Sequence, residues 1–127
     1  MNHIKWSKGE KKIARRAFDR AYEQECAELL AKVREMAAAA TEPRDLWEIH
    51  DFLDDKRVET DWKYDYRGSV LVRVLGQLVH EGRVAIEELE GLREDKLARI
   101  ETIVELGRGA SESDESPEEP GVDDDDA

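Results

Sequence analysis

Between Ser7 and Thr41 the chain runs without a proline, and its only glycine there is Gly9, so nothing interrupts a helix until Thr41-Glu42-Pro43. The start is marked by Ser7-Lys8-Gly9-Glu10, a capping-box pattern in which serine and glutamate each satisfy a free N–H of the first turn. Ile13, Ala17 and Ala21 keep one face. The register then shifts to Tyr22, Cys26, Leu29, Val33, Met36 and Ala40, at spacings of 4, 3, 4, 3 and 4, which is a heptad seam. About thirty residues at 1.5 Å each make a rod of roughly 45 Å. A seam of that length has to be covered, either by the other helices or by a second chain.

The remaining elements follow the same period. Of the 127 residues 41% are charged and 39% hydrophobic, with eight glycines and three prolines, a balance that suits amphipathic helices better than sheets or a disulfide scaffold. The fold class is all-α, one long N-terminal helix plus three shorter ones. So charged a bundle has little apolar surface per helix, and an oligomer that completes the core is expected, built on the seam residues Leu29, Val33 and Met36.

Proline at position 43 pushes Glu42 out of the helical region, and Asp45 with Glu48 three later reads as the cap of a second helix. Leu46, Ile49 and Leu53 give it an apolar seam, while Trp47, His50, Asp51 and Asp54 lie beside it. Residues 58–67, where three aromatics alternate with charges, read as a kink or helix junction. The run from Val70 to Val79 is apolar almost all round and reads as the most buried helix, ended by Gly82. A last helix is expected from about Ile86 to a cap at Gly107, with Leu89, Leu92, Leu97, Ile100, Ile103 and Val104 inward. The helical domain is thus 1–107.

Net charge is -12, but residues 111–127 carry nine acids and no base, which leaves 23 acids against 20 bases in the body. With Val122 as its only large apolar residue, the segment 108–127 reads as a disordered acidic tail that aids solubility. Neither tail nor body suits nucleic acid, whose phosphates would be repelled. Cys26, the single cysteine, falls on the seam of the first helix and reads as a buried, inert thiol. No signal peptide and no apolar run of membrane-spanning length is visible, which predicts a cytoplasmic protein.

Chemistry is sparse. The histidines are His3, His50 and His80. His50-Asp51 is the dipeptide that HD phosphohydrolases use as metal ligands, but those enzymes need further histidines and a distant aspartate that this chain lacks. Asp51, Asp54 and Asp55 resemble a magnesium-binding acid cluster in reverse, on a chain too short to enclose a prenyl substrate. There is no phosphate loop, nucleophile elbow or cysteine-pair motif. The expectation is no enzyme, no metal, no cofactor and no small-molecule substrate. Trp47 serves equally well as a core residue, and Asp51 as a surface partner of Arg57. Their grouping nevertheless has the composition of an interface hot spot, in which aromatics anchor and charges set register.

Asp45-Leu-Trp-x-x-His-Asp-Phe-Leu-x-x-Lys-Arg57, then Lys63-Tyr-Asp-x-Arg67-x-Ser-Val70, Gln77-Leu, Glu81-Gly82, Glu87-Glu-Leu89 and Asp95-Lys96 resemble the fluorescence recovery protein family of cyanobacteria, over residues from about 10 to 106. The resemblance implies an all-helical homodimer joined along its long helices. It implies binding to the photoactivated orange carotenoid protein, chiefly its C-terminal domain, and faster return of that partner to its dark-adapted orange form, which ends photoprotective quenching at the phycobilisome. Carried over residue by residue, Trp47, His50, Asp51 and Arg57 form the partner-binding patch and Leu46 faces the dimer interface. Arg73 and Leu75 stand where cyanobacterial members have aromatics, and the acidic tail departs from the family pattern. Relatives in hosts without the carotenoid protein make a different, unknown partner the alternative.

Overall fold

The computed structural model describes residues 5–115, with side chains as far as Arg108. His3 and most of the acidic tail lie outside the described residues. The elements are α1 (Lys8–Ala39), α2 (Pro43–Lys63), α3 (Leu71–His80), a 3-10 turn (Ile86–Leu89) and α4 (Glu94–Glu115), and no strand occurs among the described residues. The all-α class and the long first helix follow the sequence reading.

α1 begins at the expected box: Glu10 N–H donates to Ser7 Oγ at 3.1 Å, and Ser7 N–H donates to Glu10 Oε1 at 3.0 Å. The same carboxylate then reaches across the fold. It accepts Arg93 N–H at 2.8 Å and the Lys96 ammonium at 3.1 Å, and both charged side chains are only 4% exposed. Lys96 also lies 5.0 Å from the centre of the Trp6 ring, whose Nε1–H donates to Gly68 O. The start of α4 is thereby fastened to the start of α1.

The core occupies one end of the molecule. Ala14, Ala17, Phe18 and Ala21 of α1 meet Leu71, Val72, Val74, Leu75 and Leu78 of α3, Val84, Leu89 and Leu92 of the connection, and Ile100 of α4. α3 is indeed the most buried segment. α3 and α4 cross closely because position 76 is glycine: a Cβ there would sit 2.7 Å from Ile103 Cγ2. The end of α3 is a Schellman closure, with Arg83 N–H on Leu78 O at 2.9 Å and Gly82, at φ +80°, donating to Val79 O. The distal part of α1 and all of α2 lie outside this core. They form a helical hairpin in which α2 has no buried residue.

Several element limits differ from the sequence reading. α2 starts earlier: Glu42 is its cap, Pro43 opens the helix, and Asp45 sits in the first turn, its Oδ2 accepting Thr41 N–H at 2.9 Å and Glu42 N–H at 3.1 Å. Residues 58–63 are its last turns rather than a junction, which is confined to residues 64–70. The expected helix from Ile86 is broken into a 3-10 turn and α4, because Gly91 at φ +108° turns the chain so that Leu89 and Leu92 are both buried. Gly107 is not a cap. It lies inside α4, where a Cβ would meet the His80 ring at 3.1 Å. Cys26 is half-buried on the hairpin seam rather than enclosed.

Burial alone would raise the Glu10 pKa, but the N–H groups of Ser7 and Arg93 and the Lys96 ammonium outweigh it and hold the value down at about 2. A depressed carboxylate pKa contributes stability that is present above the unfolded value, near 4.5, and lost as pH falls towards 2. Glu10→Gln, which strands Lys96, is expected to cost about 3 kcal/mol at neutral pH and to flatten the loss of stability below pH 4.5, read by urea unfolding followed by circular dichroism.

Candidate docking face on the second helix

α2 presents two faces. Ile49 is half-buried and Leu53 lines a groove with Cys26, Leu29, Leu30 and Val33 of α1, while Leu46 stays 58% exposed. Ten residues along a helix span about 15 Å, and over that length Trp47, His50, Asp51 and Arg57 occupy the outer side. Trp47 is 60% exposed on a regular helix, and its ring meets that of His50 edge-to-face at 6.2 Å. His50 Nδ1 is 3.2 Å from Asp51 Oδ1. Arg57 does not pair with Asp51. It donates from Nε to Asp61 at 3.1 Å, one turn further on.

The sequence reading placed all four residues on one helix, and α2 carries them in an arc of about 120°, with Arg57 at one edge and Asp51 at the other. It missed the rest of that face. Val58 and Trp62, eleven and fifteen positions after Trp47, are 67% and 65% exposed and continue the same stripe. Helical spacing from Trp47 was the signal that could have found them. The guanidinium carbon of Arg73 lies 4.1 Å from the Trp62 ring centre, capping the end of the stripe. Leu75, the other departure from the family pattern, is fully buried in the core.

A second set of residues holds this face in place. Lys63 Nζ donates to Glu25 of α1 and Glu81 at the end of α3, each at 2.9 Å. Tyr64 OH donates to Glu25 at 2.7 Å, Gln77 to Glu81 at 2.8 Å, and Arg83 to Glu28 at 2.9 Å. Burial of Lys63 works against its charge, yet the two carboxylates raise its pKa, and the same contacts with Tyr64 and Arg83 keep Glu25 ionised against its own burial. Phe18 packs edge-on against Tyr64 and Tyr66 beneath. Lys63, Tyr64, Gln77 and Glu81, recognisable in the sequence only as motif letters, are therefore the joint between hairpin and core.

Chemically the outer face offers an exposed indole, an imidazole, carboxylates and a guanidinium on a helix. Among the described residues no group of His, Cys, Asp and Glu could hold a metal ion, and no helix is long and apolar enough to cross a membrane. A family model described as photoprotection regulator fluorescence recovery protein matches residues 6–104. The chain belongs to the fluorescence recovery protein family. A fluorescence recovery protein of Synechocystis sp. is 45% identical over 101 residues, covering 80% of this chain and 93% of that protein. The solved structure of the Synechocystis protein superposes with a TM-score of 0.75 at 44% identity, covering 80% of this chain and all of that one. The Fremyella diplosiphon fluorescence recovery protein gives 0.74 at 42% identity, with 80% and 99% covered. The fluorescence recovery protein family is one of photoprotection regulators rather than of enzymes.

Because Trp47 and Arg57 touch little of their own chain, Trp47→Ala and Arg57→Ala should change stability by no more than about 0.5 kcal/mol. Lys63→Met, which leaves Arg83 as the remaining cation between Glu25 and Glu81 at a largely buried joint, should cost about 2 kcal/mol. Denaturant midpoints of the three variants, compared with the parent chain, check the contrast.

Proposed function

We propose that this chain is a non-enzymatic regulator that binds the photoactivated orange carotenoid protein, chiefly its C-terminal domain, and hastens its return to the dark-adapted orange form. The observation that carries the reading is Trp47, 60% exposed on a rigid helix with His50, Asp51 and Arg57 on the same side. Burying an aromatic flanked by charges is how interfaces concentrate their binding energy. Acceleration follows if the face binds the compact transition state better than the open red form, and each tenfold in rate needs about 1.4 kcal/mol of such preference. No bond is made or broken in the partner. The site of action is the cytoplasm, at the phycobilisome where the host has one.

The working unit is a homodimer joined along the distal half of α1. Support comes from the half-buried seam of Cys26, Leu29, Val33 and Met36, from a groove of about 260 Å³ between Leu29, Leu30, Val33 and Leu53, and from Leu46, left 58% exposed. One observation favours a second reading. Arg73 over Trp62 puts a cation where the family pattern has an aromatic, which suits a dimer that serves another partner in a host without the carotenoid protein. A host genome with no carotenoid-protein gene would decide for that reading.

Added at one-tenth the concentration of a heterologous orange carotenoid protein, the chain should speed the red-to-orange absorbance decay. Trp47→Ala or Arg57→Ala should reduce the effect at least tenfold while the dimer persists. Unchanged decay with well-folded protein refutes the proposal. Sedimentation at micromolar concentration should give a dimer, and Val33→Glu a monomer that keeps its helicity.

A further inference from the structure

Between Lys5 and Arg16 the chain places six cations, Lys5, Lys8, Lys11, Lys12, Arg15 and Arg16, against one acid, Glu10, whose carboxylate is taken by Lys96. Lys8, Lys11, Lys12, Arg15 and Arg16 are exposed and line a shallow groove of about 540 Å³ with Tyr66. Arg15 pairs with Asp19 at 3.3 Å. Among the described residues, no carboxylate comes within pairing distance of Lys8, Lys11, Lys12 or Arg16. Such a stripe weakens the helix that carries it. Cations in the first turns oppose the helix dipole, and like charges three and four positions apart repel. In a chain with 32 acids against 20 lysines and arginines that stretch is the exception, and a local rule broken without internal compensation marks a surface kept for a ligand.

The groove's walls narrow the ligand to an acidic peptide. From Lys8 to Arg16 the cations cover about 12 Å of α1, the length of about four residues of extended chain. A nucleic acid needs an open ring on which to stack a base, but Arg15 lies 4.3 Å from the centre of the Tyr66 ring and Phe18 meets that ring edge-on. A bilayer needs apolar side chains to receive. Those that stand exposed among the described residues, Leu30, Leu46, Trp47, Leu53, Val58, Trp62 and Leu106 with Tyr22, all lie off the groove. Either surface would also extend beyond the groove into the field of a chain with net charge -12, whereas a short segment stays within it. The chain's own acidic end is a poor occupant. It begins after the 22 residues of α4, about 33 Å from the point where that helix is fastened beside Glu10, and would return only near full stretch.

We propose that the groove of Lys8, Lys11, Lys12, Arg15 and Arg16 is a docking site for an acidic segment of another protein. Carboxylates on one side of an extended strand recur every 7 Å or so, close to the spacing of cations one helical turn apart, about 6 Å. Several individually weak pairs then act together, with the aliphatic stems of the lysines and arginines beneath the bound backbone. Trp47 lies near the start of α2, at the opposite end of α1, so about 30 Å separates the groove from the recognition face. Both surfaces can be filled at once. The assignment is independent of which partner the α2 face receives.

A fluorescein-labelled decapeptide of alternating aspartate and glutamate tests it, by fluorescence anisotropy with the full-length chain. At about 50 mM salt half-saturation should come below about 100 μM, and binding should weaken at least about tenfold at about 500 mM, where the screening length shrinks to a few ångströms. Lys8→Gln/Lys12→Gln/Arg16→Gln should weaken low-salt binding at least about tenfold while circular dichroism shows unchanged helicity. Lys32→Gln/Arg34→Gln, further along the same helix, should leave it within about twofold. No binding at low salt, binding that survives the triple substitution, or an equal loss in the distal pair overturns the proposal. So does tighter binding of a single-stranded RNA decamer or of phosphatidylglycerol vesicles that the triple variant loses, which would assign the groove to nucleic acid or membrane. Salt-sensitive self-association that the triple variant abolishes would place the acidic end of a second copy there and overturn it equally.

Discussion

The Glu10 carboxylate closes the fold. One oxygen pair caps the first turn of α1, receives a backbone N–H from residue 93 and holds the ammonium of Lys96, 86 positions away in sequence. A buried ion pair is seldom a gain over a well-packed apolar pair, because both charges lose their water. Here the carboxylate also answers N–H groups that would otherwise be unsatisfied, so the desolvation is shared among three donors. With α4 pinned to α1, α3 has a fixed slot between them. Leu71, Leu75 and Leu78 fill it, and the α3–α4 crossing can tighten onto the bare backbone of Gly76.

That arrangement leaves the two ends of α1 with different tasks. The first half is buried with small residues and Phe18, and the second half keeps a seam that one chain alone covers only partly. α2 has an apolar side towards that seam and an aromatic, charged side away from it. No residue of α2 is buried, so its sequence was never constrained by the core and is free to carry recognition.

Much of this was legible in the residues. The unbroken run after Ser7 gave α1 to within a residue or two, and the all-round apolar stretch from Val70 gave α3, because period and caps are local properties. Where sequence reading failed, a long-range contact decided. Glycine after a helical run suggests a cap, yet Gly107 is glycine to admit His80. Leu89, Leu92, Leu97 and Ile100 fit one helix by spacing, but Gly91 at positive φ breaks it, because packing against α1 demands a turn there. Of the candidate face, Trp47, His50, Asp51 and Arg57 were found through grouping and resemblance. Val58 and Trp62 were overlooked because an aromatic among charges looked like a junction, not the outer side of a continuing helix. The joint of Lys63, Glu25 and Glu81 joins residues from three helices, and no local pattern announces such a meeting.

That joint has a mechanical meaning. α2 is about 32 Å long and is held by charge pairs at its base, while Trp47 stands near its far end. With that end tied to α1 by residues 40–42, it swings only together with the distal half of α1: a tilt of about one degree at the base displaces the tip by about half an ångström over that length. The aim of the outer face is therefore set about four to five turns away from Trp47, by the side chains of the joint. Loosening Lys63 would misalign the tip with every residue of the face still in place, much as a worn hinge misaligns a door whose latch is sound.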